Sequence, residues 1–348
     1  MKILYSLLLL VILLTNLSCD NSVAPDNIIT NSTKLIYISN ESGNFEIYSI
    51  DLTSNRINRL TNSFEIKNKP HFFPDGNKIL YSTSYNDVGK IYSINFDGSN
   101  NVLLEDSCNY SPAENISADG RLIAYQQVLI IPNYVYPSTC IALMNADGSN
   151  KKIISPNSGS QPKLSDDGNL VCYTNYGGTE PNKIMIYNIQ TESTDSISIP
   201  GLGTNEPILN PQFSPDGDKI LFNTNIDNGF AFYTIGLNGE NLTRLSPYNF
   251  FTEDFLYSPD GKYIVLAKWD GESQHIYKFN NDGSDFNMLS ETNSFELNPE
   301  CSRDASKIVI SSDSNNDNKY NIVIMNTDGK NRQVLIDSQS KVFFPVLW

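Results

Sequence analysis

The sequence has few of the residues on which many enzymes and nucleic-acid-binding proteins depend. Only 2 histidines occur among 348 residues, and 39 acidic residues outnumber 24 basic ones. The formal net charge of −15 leaves no basic surface for phosphates, so nucleic acid is not an expected partner. No Gly-x-Ser-x-Gly segment is present, so the nucleophile elbow of an α/β-hydrolase is not expected.

Helical periodicity is also scarce beyond residue 33, where no apolar pattern of 3.6 residues with caps is convincing. Short apolar segments recur instead, separated by Asp-Gly or related turns. The aspartates of the clearest turn lie 44 to 49 residues apart, at Asp75, Asp119, Asp167, Asp216, Asp260 and Asp304. A fixed period of this size predicts a β-propeller with one blade per repeat.

Each repeat contains four apolar segments, and the segment after the Asp-Gly turn can be followed through seven copies. Its copies begin at Lys34, Lys78, Arg121, Asn169, Lys219, Tyr263 and Lys307. A second Asp-Gly or Asn-Gly follows most copies of the next segment, which predicts a hairpin. Consecutive positions are apolar, as in residues 308–310, so both faces of each strand should be buried between neighbouring blades.

The end of the chain indicates how the repeats close. Residues 342–345 copy residues 71–74, but the chain ends at Trp348 before another Asp-Gly turn. The first apolar segment, at Lys34, lacks the strand that normally precedes it. We therefore predict an all-β fold, a seven-bladed β-propeller of four-stranded antiparallel blades, closed by the C-terminal strand joining the N-terminal blade.

The amino terminus indicates export. Lys2 and the apolar run 3–14 predict a signal peptide over residues 1–18, because the run is too short to span a bilayer. Cys19 follows directly and resembles the lipidated cysteine of a bacterial lipoprotein, although Asn16 stands where that motif has a Leu-like residue. A plain signal peptide is the alternative. Residues 19–33 are expected to be a lipidated cysteine and flexible tether, and residues 34–348 the propeller.

The remaining cysteines match no zinc-site spacing. Cys172 and Cys301 lie within strand patterns and are expected to be buried. Cys108 and Cys140 fall near loops of one repeat and could form a disulfide in an oxidising periplasm.

The turn segments resemble a known family. Residues 213–222 (Phe-Ser-Pro-Asp-Gly-Asp-Lys-Ile-Leu-Phe) are similar to the Pro-Asp repeat of TolB-type propellers, a WD40-like group, and residues 257–262 match equally well. The resemblance covers residues 34–348. It departs where Ala305 replaces the turn glycine, and where Ala118 and Asp166 replace the proline.

This resemblance implies contact with other envelope proteins. With the signal-like amino terminus and Cys19, the expected location is the bacterial cell envelope, lipid-anchored on the periplasmic or cell-surface side of the outer membrane. The segment that TolB carries ahead of its propeller has no counterpart in the sequence. We therefore do not expect the chain to take TolB's own place in that transport machinery.

The recurring aspartates could suggest a ring of carboxylates. Turn chemistry explains them better, because proline sets φ, aspartate hydrogen-bonds its own backbone, and glycine takes the positive-φ place. Residues 313–318 resemble the start of a calcium loop, but they lack its sixth-place glycine, and its twelfth place holds Ile324 rather than glutamate. A polar hairpin is the favoured interpretation, and no cofactor or metal is expected.

A non-catalytic protein is the first prediction. His71 occupies a strand position that Val342 takes in the last repeat, which favours a structural role. Oligogalacturonate lyases resemble this fold, but their site uses several histidines around a metal. Serine peptidases with similar propellers carry an added α/β-hydrolase domain. A carbohydrate-active or metal-dependent enzyme with its site in the central channel is the alternative.

Binding residues are best sought where the repeat is interrupted. Residues 126–140 are interpreted as a long insertion rich in apolar and aromatic side chains, which often mark an interface. The alternative is that this loop folds onto its own blade. The candidate binding surface comprises Ile130, Ile131, Tyr134, Tyr136, Tyr110, Tyr176, Phe250, Phe251 and Trp269. An envelope protein, a peptide or a glycan would suit it, and the chain is expected to be a monomer.

Overall fold

The computed structural model describes residues 33–85, 88–108, 115–129, 138–155, 159–176, 181–204, 206–226, 229–252, 254–290, 294–314 and 317–348. These residues belong to one compact unit. They contain 29 strands and no helix, and therefore no helix with the length and apolarity that a membrane span requires.

The first twelve strands are β1 (Lys34–Ser39), β2 (Glu46–Asp51), β3 (Arg56–Arg59), β4 (Ile66–Lys67), β5 (His71–Phe72), β6 (Lys78–Tyr85), β7 (Val88–Asn95), β8 (Val102–Cys108), β9 (Asn115–Ile116), β10 (Leu122–Leu129), β11 (Ser138–Asn145) and β12 (Lys152–Ser155). The next eight are β13 (Gly159–Leu164), β14 (Leu170–Asn175), β15 (Lys183–Asn188), β16 (Ser193–Ser198), β17 (Ile208–Phe213), β18 (Lys219–Ile226), β19 (Gly229–Gly236) and β20 (Thr243–Arg244). The last nine are β21 (Phe255–Tyr257), β22 (Tyr263–Trp269), β23 (Gln274–Asn280), β24 (Asn287–Met288), β25 (Phe295–Cys301), β26 (Lys307–Asp313), β27 (Asn321–Asn326), β28 (Gln333–Ile336) and β29 (Val342–Leu347).

Antiparallel four-stranded sheets dominate the structure. Five sheets have the orders β29-β1-β2-β3, β13-β14-β15-β16, β17-β18-β19-β20, β21-β22-β23-β24 and β25-β26-β27-β28. A sixth sheet has nine strands and contains β4 to β12, with β8 and β10 joined where Gln127 pairs with Cys108. The prediction of an all-β fold built from four-stranded antiparallel sheets is therefore confirmed.

Both faces of the inner strands are buried, as their sequence predicted. In β18, Ile220 and Phe222 pack in one apolar cluster while Leu221 packs in another, and all three are 0% exposed. Successive side chains of a strand point to opposite faces, so this sheet is covered on both sides. The apolar core is divided among clusters that lie between neighbouring sheets.

The recurring aspartates hold turns together, which confirms their structural interpretation. In five turns, a serine hydroxyl donates to the aspartate two residues later at 2.5 to 2.8 Å. The same carboxylate accepts a backbone N–H two residues further on, at 2.9 to 3.2 Å. The serine hydroxyl and this N–H together lower the carboxyl pKa of Asp119, Asp167, Asp216 and Asp304.

The last strand pairs with the first. β29 is antiparallel to β1, with Ile36 opposite Val346, and the Trp348 N–H donates to the Lys34 carbonyl at 2.9 Å. The Trp348 ring lies over Gly76, so close that a Cβ there would be 2.3 Å from a ring carbon. Lys34 and Arg303 lie 5.3 and 5.6 Å from the ring centroid, and Arg303 donates to the Pro74 carbonyl at 2.8 Å.

The segment interpreted as a loop over residues 126–140 is shorter than expected. β10 continues to Leu129 and β11 begins at Ser138, with Gln127 opposite Cys140 in an unbroken register. Gln126, where the predicted loop begins, is buried and donates to the Gly159 carbonyl at 3.2 Å, so it belongs to the sheet.

All four described cysteines are buried, as expected for Cys172 and Cys301. Cys108 and Cys140 are not joined by a disulfide, because Gln127 of the strand between them is the partner of both. Two strand spacings amount to roughly 9 to 10 Å, which is beyond the Cα separation that a disulfide spans.

Candidate functional site

A cavity of about 830 Å³ is lined by the first strand of several sheets, the strand that comes before the Asp-Gly or related turn. β5, β9, β13, β17, β21 and β25 each contribute side chains or immediately adjacent residues to its lining. Its lining is mainly polar, with Asn115, Gln126, Gln161, Asn210 and Gln212 among the residues. The cavity is lined by polar and charged residues from the first strands of several sheets, which makes it the candidate site.

A repeated backbone irregularity shapes this wall. Gln161, Asn210, Asn298 and Phe344 each precede a proline and have φ values of 45° to 55°. Proline has no N–H to donate, and the strand register shifts at each of these places. The extra residue is a β-bulge, which bends the strand and re-aims its side chains.

The polar side chains of the wall tie neighbouring sheets together. Gln161 Oε1 accepts the Asn210 N–H at 2.7 Å, and Asn298 Oδ1 accepts the Phe344 N–H at 3.3 Å. Similar bonds run from the Leu164 N–H to Asn115, from the Tyr257 N–H to Gln212 and from the Asn298 N–H to Asp254. Sequence reasoning missed these residues, although the repeated X-Pro ahead of the turn was a visible signal.

Charged groups in the cavity are arranged as an ion pair with a second carboxyl nearby. Lys69 pairs with Glu300, their side chains being 32% and 16% exposed. Burial alone would lower the Lys69 pKa, but the negative charges of Glu300 and Asp254 outweigh burial and raise it. Burial raises the pKa of Asp254; Lys69 opposes this rise and Glu300 adds to it. The site therefore holds charges of both signs.

His71 lies in a strand, as predicted, and also lines the cavity. It pairs with Leu80 across β5 and β6. Burial and the positive charges of Lys69 and Lys163 lower its pKa to about 3. The ring is therefore neutral at physiological pH, because protonation would add a buried positive charge near Lys69 and Lys163.

No metal-binding group is evident in the part of the chain that the structure describes. Nowhere in it do three or more His, Cys, Asp or Glu side chains come together to hold an ion. The Asp313 carboxylate, from the segment that resembled a calcium loop, is buried and accepts the N–H groups of Asp317 and Asn318 at 3.1 and 2.8 Å. These bonds are those of a hairpin.

The predicted binding surface is only partly within the described residues, because Tyr110, Ile130, Ile131, Tyr134 and Tyr136 lie outside them. Cys19, the predicted lipidation site, also lies outside them. Tyr176 is half-buried, and its hydroxyl donates to the Ile208 carbonyl at 2.8 Å. Phe250 packs against an apolar cluster. Phe251 and Trp269 are 57% and 53% exposed, so they are the members whose side chains reach solvent.

Another exposed aromatic pair was not predicted. Phe64 and Tyr85 are 70% and 52% exposed, and their rings meet edge to face with centroids 4.9 Å apart. Like Phe251 and Trp269, they lie at the end of the sheets opposite the Asp-Gly turns. Phe64 sits in an irregular segment between β3 and β4, where no repeat pattern marked it for attention.

Comparison with known proteins places these features in a family. A family model described as "TolB beta propeller domain" matches residues 19–129 and 133–346. The Tol-Pal system protein TolB of Francisella tularensis subsp. mediasiatica is 24% identical over 228 residues, which is 64% of this chain and 50% of that protein. The chain thus spans about half the length of the curated relatives it matches.

Solved structures agree on the fold. TolB from Acinetobacter baumannii has a TM-score of 0.54 at 16% identity, covering 90% of this chain and 66% of that one. An oligogalacturonate lyase in complex with manganese has a TM-score of 0.66 at 13% identity, covering 84% and 86%. At these identities the likeness concerns the fold alone, which binding proteins and enzymes share.

Proposed function

Because the chain belongs to the TolB β-propeller family, we propose that it is a non-catalytic envelope lipoprotein whose propeller binds another protein of the cell envelope. The name of its relatives, Tol-Pal system protein TolB, motivates the envelope setting. The signal-like residues 1–18 and Cys19 motivate export and lipid anchoring. The occupant of the binding surface is a protein segment rather than a reacting substrate.

The observation that carries this proposal is that polar side chains of the cavity wall are already bonded within the scaffold. Its amide side chains hold neighbouring sheets through Asn115, Gln161 and Gln212, and Lys69 is paired with Glu300. Side chains committed to the scaffold are poor candidates for moving protons. Binding is therefore expected at exposed aromatic side chains such as Phe251 and Trp269. These lie at the loop end of the sheets, which is the end opposite the Asp-Gly turns.

The architecture we propose is the seven-bladed ring. The pairing of β29 with β1 and the shared cavity wall support it. Within the nine-stranded sheet, β4 to β8 and β9 to β12 supply two of the seven blades. Such a ring leaves only short sheet edges and suits a monomer.

The binding proposal is tested by capture from a detergent extract of the cell envelope. Wild-type protein should retain a specific partner. Tyr134→Ala/Tyr136→Ala and Phe251→Ala/Trp269→Ala should each reduce its recovery at least fivefold, because buried aromatic anchors dominate interface energies. Val334→Ala, an exposed position on β28, is the matched control. Equal recovery with both double variants would rule out these residues as the surface.

The lipid anchor is tested separately. Cys19→Ser should move the protein from the membrane fraction to the soluble fraction, because one thioether-linked lipid group is then lost. Retention in the membrane fraction after a salt wash would contradict lipidation at Cys19.

A channel enzyme is the second candidate, because His71 shares the cavity with Asp254 and Glu300. The structural likeness to a manganese-containing lyase gives the reaction to test. Purified protein with added Mn²⁺ should not cleave oligogalacturonate if the binding proposal holds. Cleavage that is lost in His71→Val would replace that proposal with the enzymatic one.

A further inference from the structure

Buried acceptor atoms without partners gather between two neighbouring sheets, the one formed by β17 to β20 and the one formed by β21 to β24. Five buried side-chain atoms among the described residues lack a hydrogen-bond partner, and three belong to Asn223, Asn225 and His275. Asn223 is 0% exposed and His275 is 5% exposed. Nearly all buried polar atoms in native proteins are paired, so this concentration indicates a missing partner.

Strand geometry places the three side chains on one interface. Leu221 belongs to the apolar cluster between these two sheets, and Asn223 and Asn225 lie two and four residues further along the same strand. His275 lies two residues before Tyr277, which packs against that cluster from the other sheet. Alternate residues share a face, and both hairpins have unbroken register. We call this interface the seam.

The unpartnered atoms of the seam accept hydrogen bonds. Asn223 Nδ2 donates to the Phe250 carbonyl at 2.6 Å, which leaves Oδ1 as the available acceptor. His275 Nε2 lies 3.2 Å from an Asp270 carboxylate oxygen, so Nδ1 carries the lone pair when the ring is neutral. The buried Oδ1 of Asn225 is the third acceptor. A ligand that completes the seam must therefore bring several donors.

The side chains around the seam indicate the charge and the apolar surface that a ligand should have. Phe230 is the cross-strand partner of Asn225, and its ring meets the exposed Phe251 edge to face at a centroid distance of 4.8 Å. Lys268 Nζ lies 4.6 Å from the Phe250 ring centroid and an Asp270 carboxylate oxygen lies 3.2 Å from His275 Nε2, so the seam has one charge of each sign beside it and no excess charge for an ionic ligand to pair with. An uncharged molecule with several donors and an apolar face fits both conditions.

We propose that the seam binds a neutral saccharide. Asn225, which is partly exposed, and the neighbouring Phe251, which is exposed, form the entrance. Sugar hydroxyls donate to Asn225, and to Asn223 and His275 either directly or through a bridging water. The C–H face of the sugar ring packs on Phe251. The saccharide shares Phe251 with the protein partner proposed above, whereas the seam acceptors are used by the saccharide alone.

The test is a titration of the mature chain with methyl β-D-glucopyranoside and with N-acetylglucosamine, followed by the side-chain amide NMR signals of the seam asparagines. At least one sugar should shift the Asn223 and Asn225 signals saturably, with a Kd of roughly millimolar order. Asn225→Leu and Phe251→Ala should each weaken binding about fivefold. Phe64→Ala, which removes an exposed aromatic side chain between β3 and β4, should leave binding unchanged.

Several outcomes would overturn the proposal. These are no saturable shift with either sugar, an equal response to glycerol, or binding that survives both seam variants unchanged. A response to N-acetyl-lysine methylamide in place of the sugars would make the seam a polypeptide site. Thermal melting of Asn225→Leu and Phe251→Ala checks that both variants remain folded, since both positions are at least partly exposed.

Discussion

The two ends of the sheets are built on different principles. At the turn end, the same serine, aspartate and backbone N–H recur in five turns with nearly equal distances. At the loop end, Phe64, Phe251 and Trp269 occur in segments that share no motif. Repetition marks what every repeat needs in order to fold. Divergence marks where one repeat can acquire a task that its neighbours lack.

The largest expected loss of stability is at the turn containing Gly76, which the Trp348 ring covers. Gly76→Ala should destabilise the protein by about 2 to 4 kcal/mol, because φ is +65° and the new Cβ meets the Trp348 ring. Gly217→Ala is the matched control, since φ is +76° but no atom lies within 4 Å, and it should cost about 1 kcal/mol. Denaturant unfolding measures both. Equal losses would show that Trp348 does not restrain the turn.

The next effect concerns the turn hydroxyl. Ser258→Ala should destabilise by about 1 to 2 kcal/mol, because the buried hydroxyl donates to Asp260 at 2.8 Å and accepts the Tyr263 N–H at 3.1 Å. The comparison variant is Ser54→Ala, an exposed serine outside these turns, which should change stability by less than about 0.5 kcal/mol. An unchanged free energy of unfolding in Ser258→Ala would show that this hydroxyl does not stabilise the turn.

Acid should weaken the turn end selectively. The Asp216 pKa is lowered from 3.8 by the Ser214 hydroxyl and the Asp218 N–H, so its stabilisation is complete above the unfolded value. It is lost as pH falls from 3.8 through the lower folded pKa. Asp216→Asn should therefore be less stable than wild type at pH 7, with a smaller difference at pH 3, in chemical unfolding. A difference that does not shrink in acid would contradict the carboxylate's role.

The smallest expected effect on stability is at the loop end. Phe251→Ala and Trp269→Ala should each change the free energy of unfolding by less than about 1 kcal/mol, because both side chains are more than half exposed. Their effect should fall on partner capture instead. A large loss of stability in either variant would show that these aromatics are scaffold, and the contrast between the two ends would weaken.

Much of the scaffold could be predicted from the sequence, because turn chemistry is local. Asp-Gly and Asn-Gly need positive φ, so their positions marked the strands between them. Ala305 shows the limit of that rule, since it adopts φ 57° at a turn where other repeats have glycine. The length of β10 could not be predicted, because Gln126 is polar in sequence and its burial with a hydrogen bond to Gly159 is a tertiary property.

The cavity could not be predicted in the same way. Gln161 and Asn210 are ordinary polar residues in sequence, and their roles arise when one sheet meets the next about 49 residues later. Lys69 and Glu300 are separated by most of the chain and meet only in the folded protein. Of the predicted surface, exposure supports Phe251 and Trp269, whereas Tyr176 and Phe250 take part in packing.

The packing of Trp348 has a practical consequence for how the protein is handled. Its ring rests on Gly76, and its N–H is bonded to Lys34. An affinity tag fused after this residue would pull on a side chain and a backbone group that are already engaged. A tag inserted in the hairpin at Gly239, where the nearest side-chain atom to a new Cβ would be 3.7 Å away, leaves that packing intact.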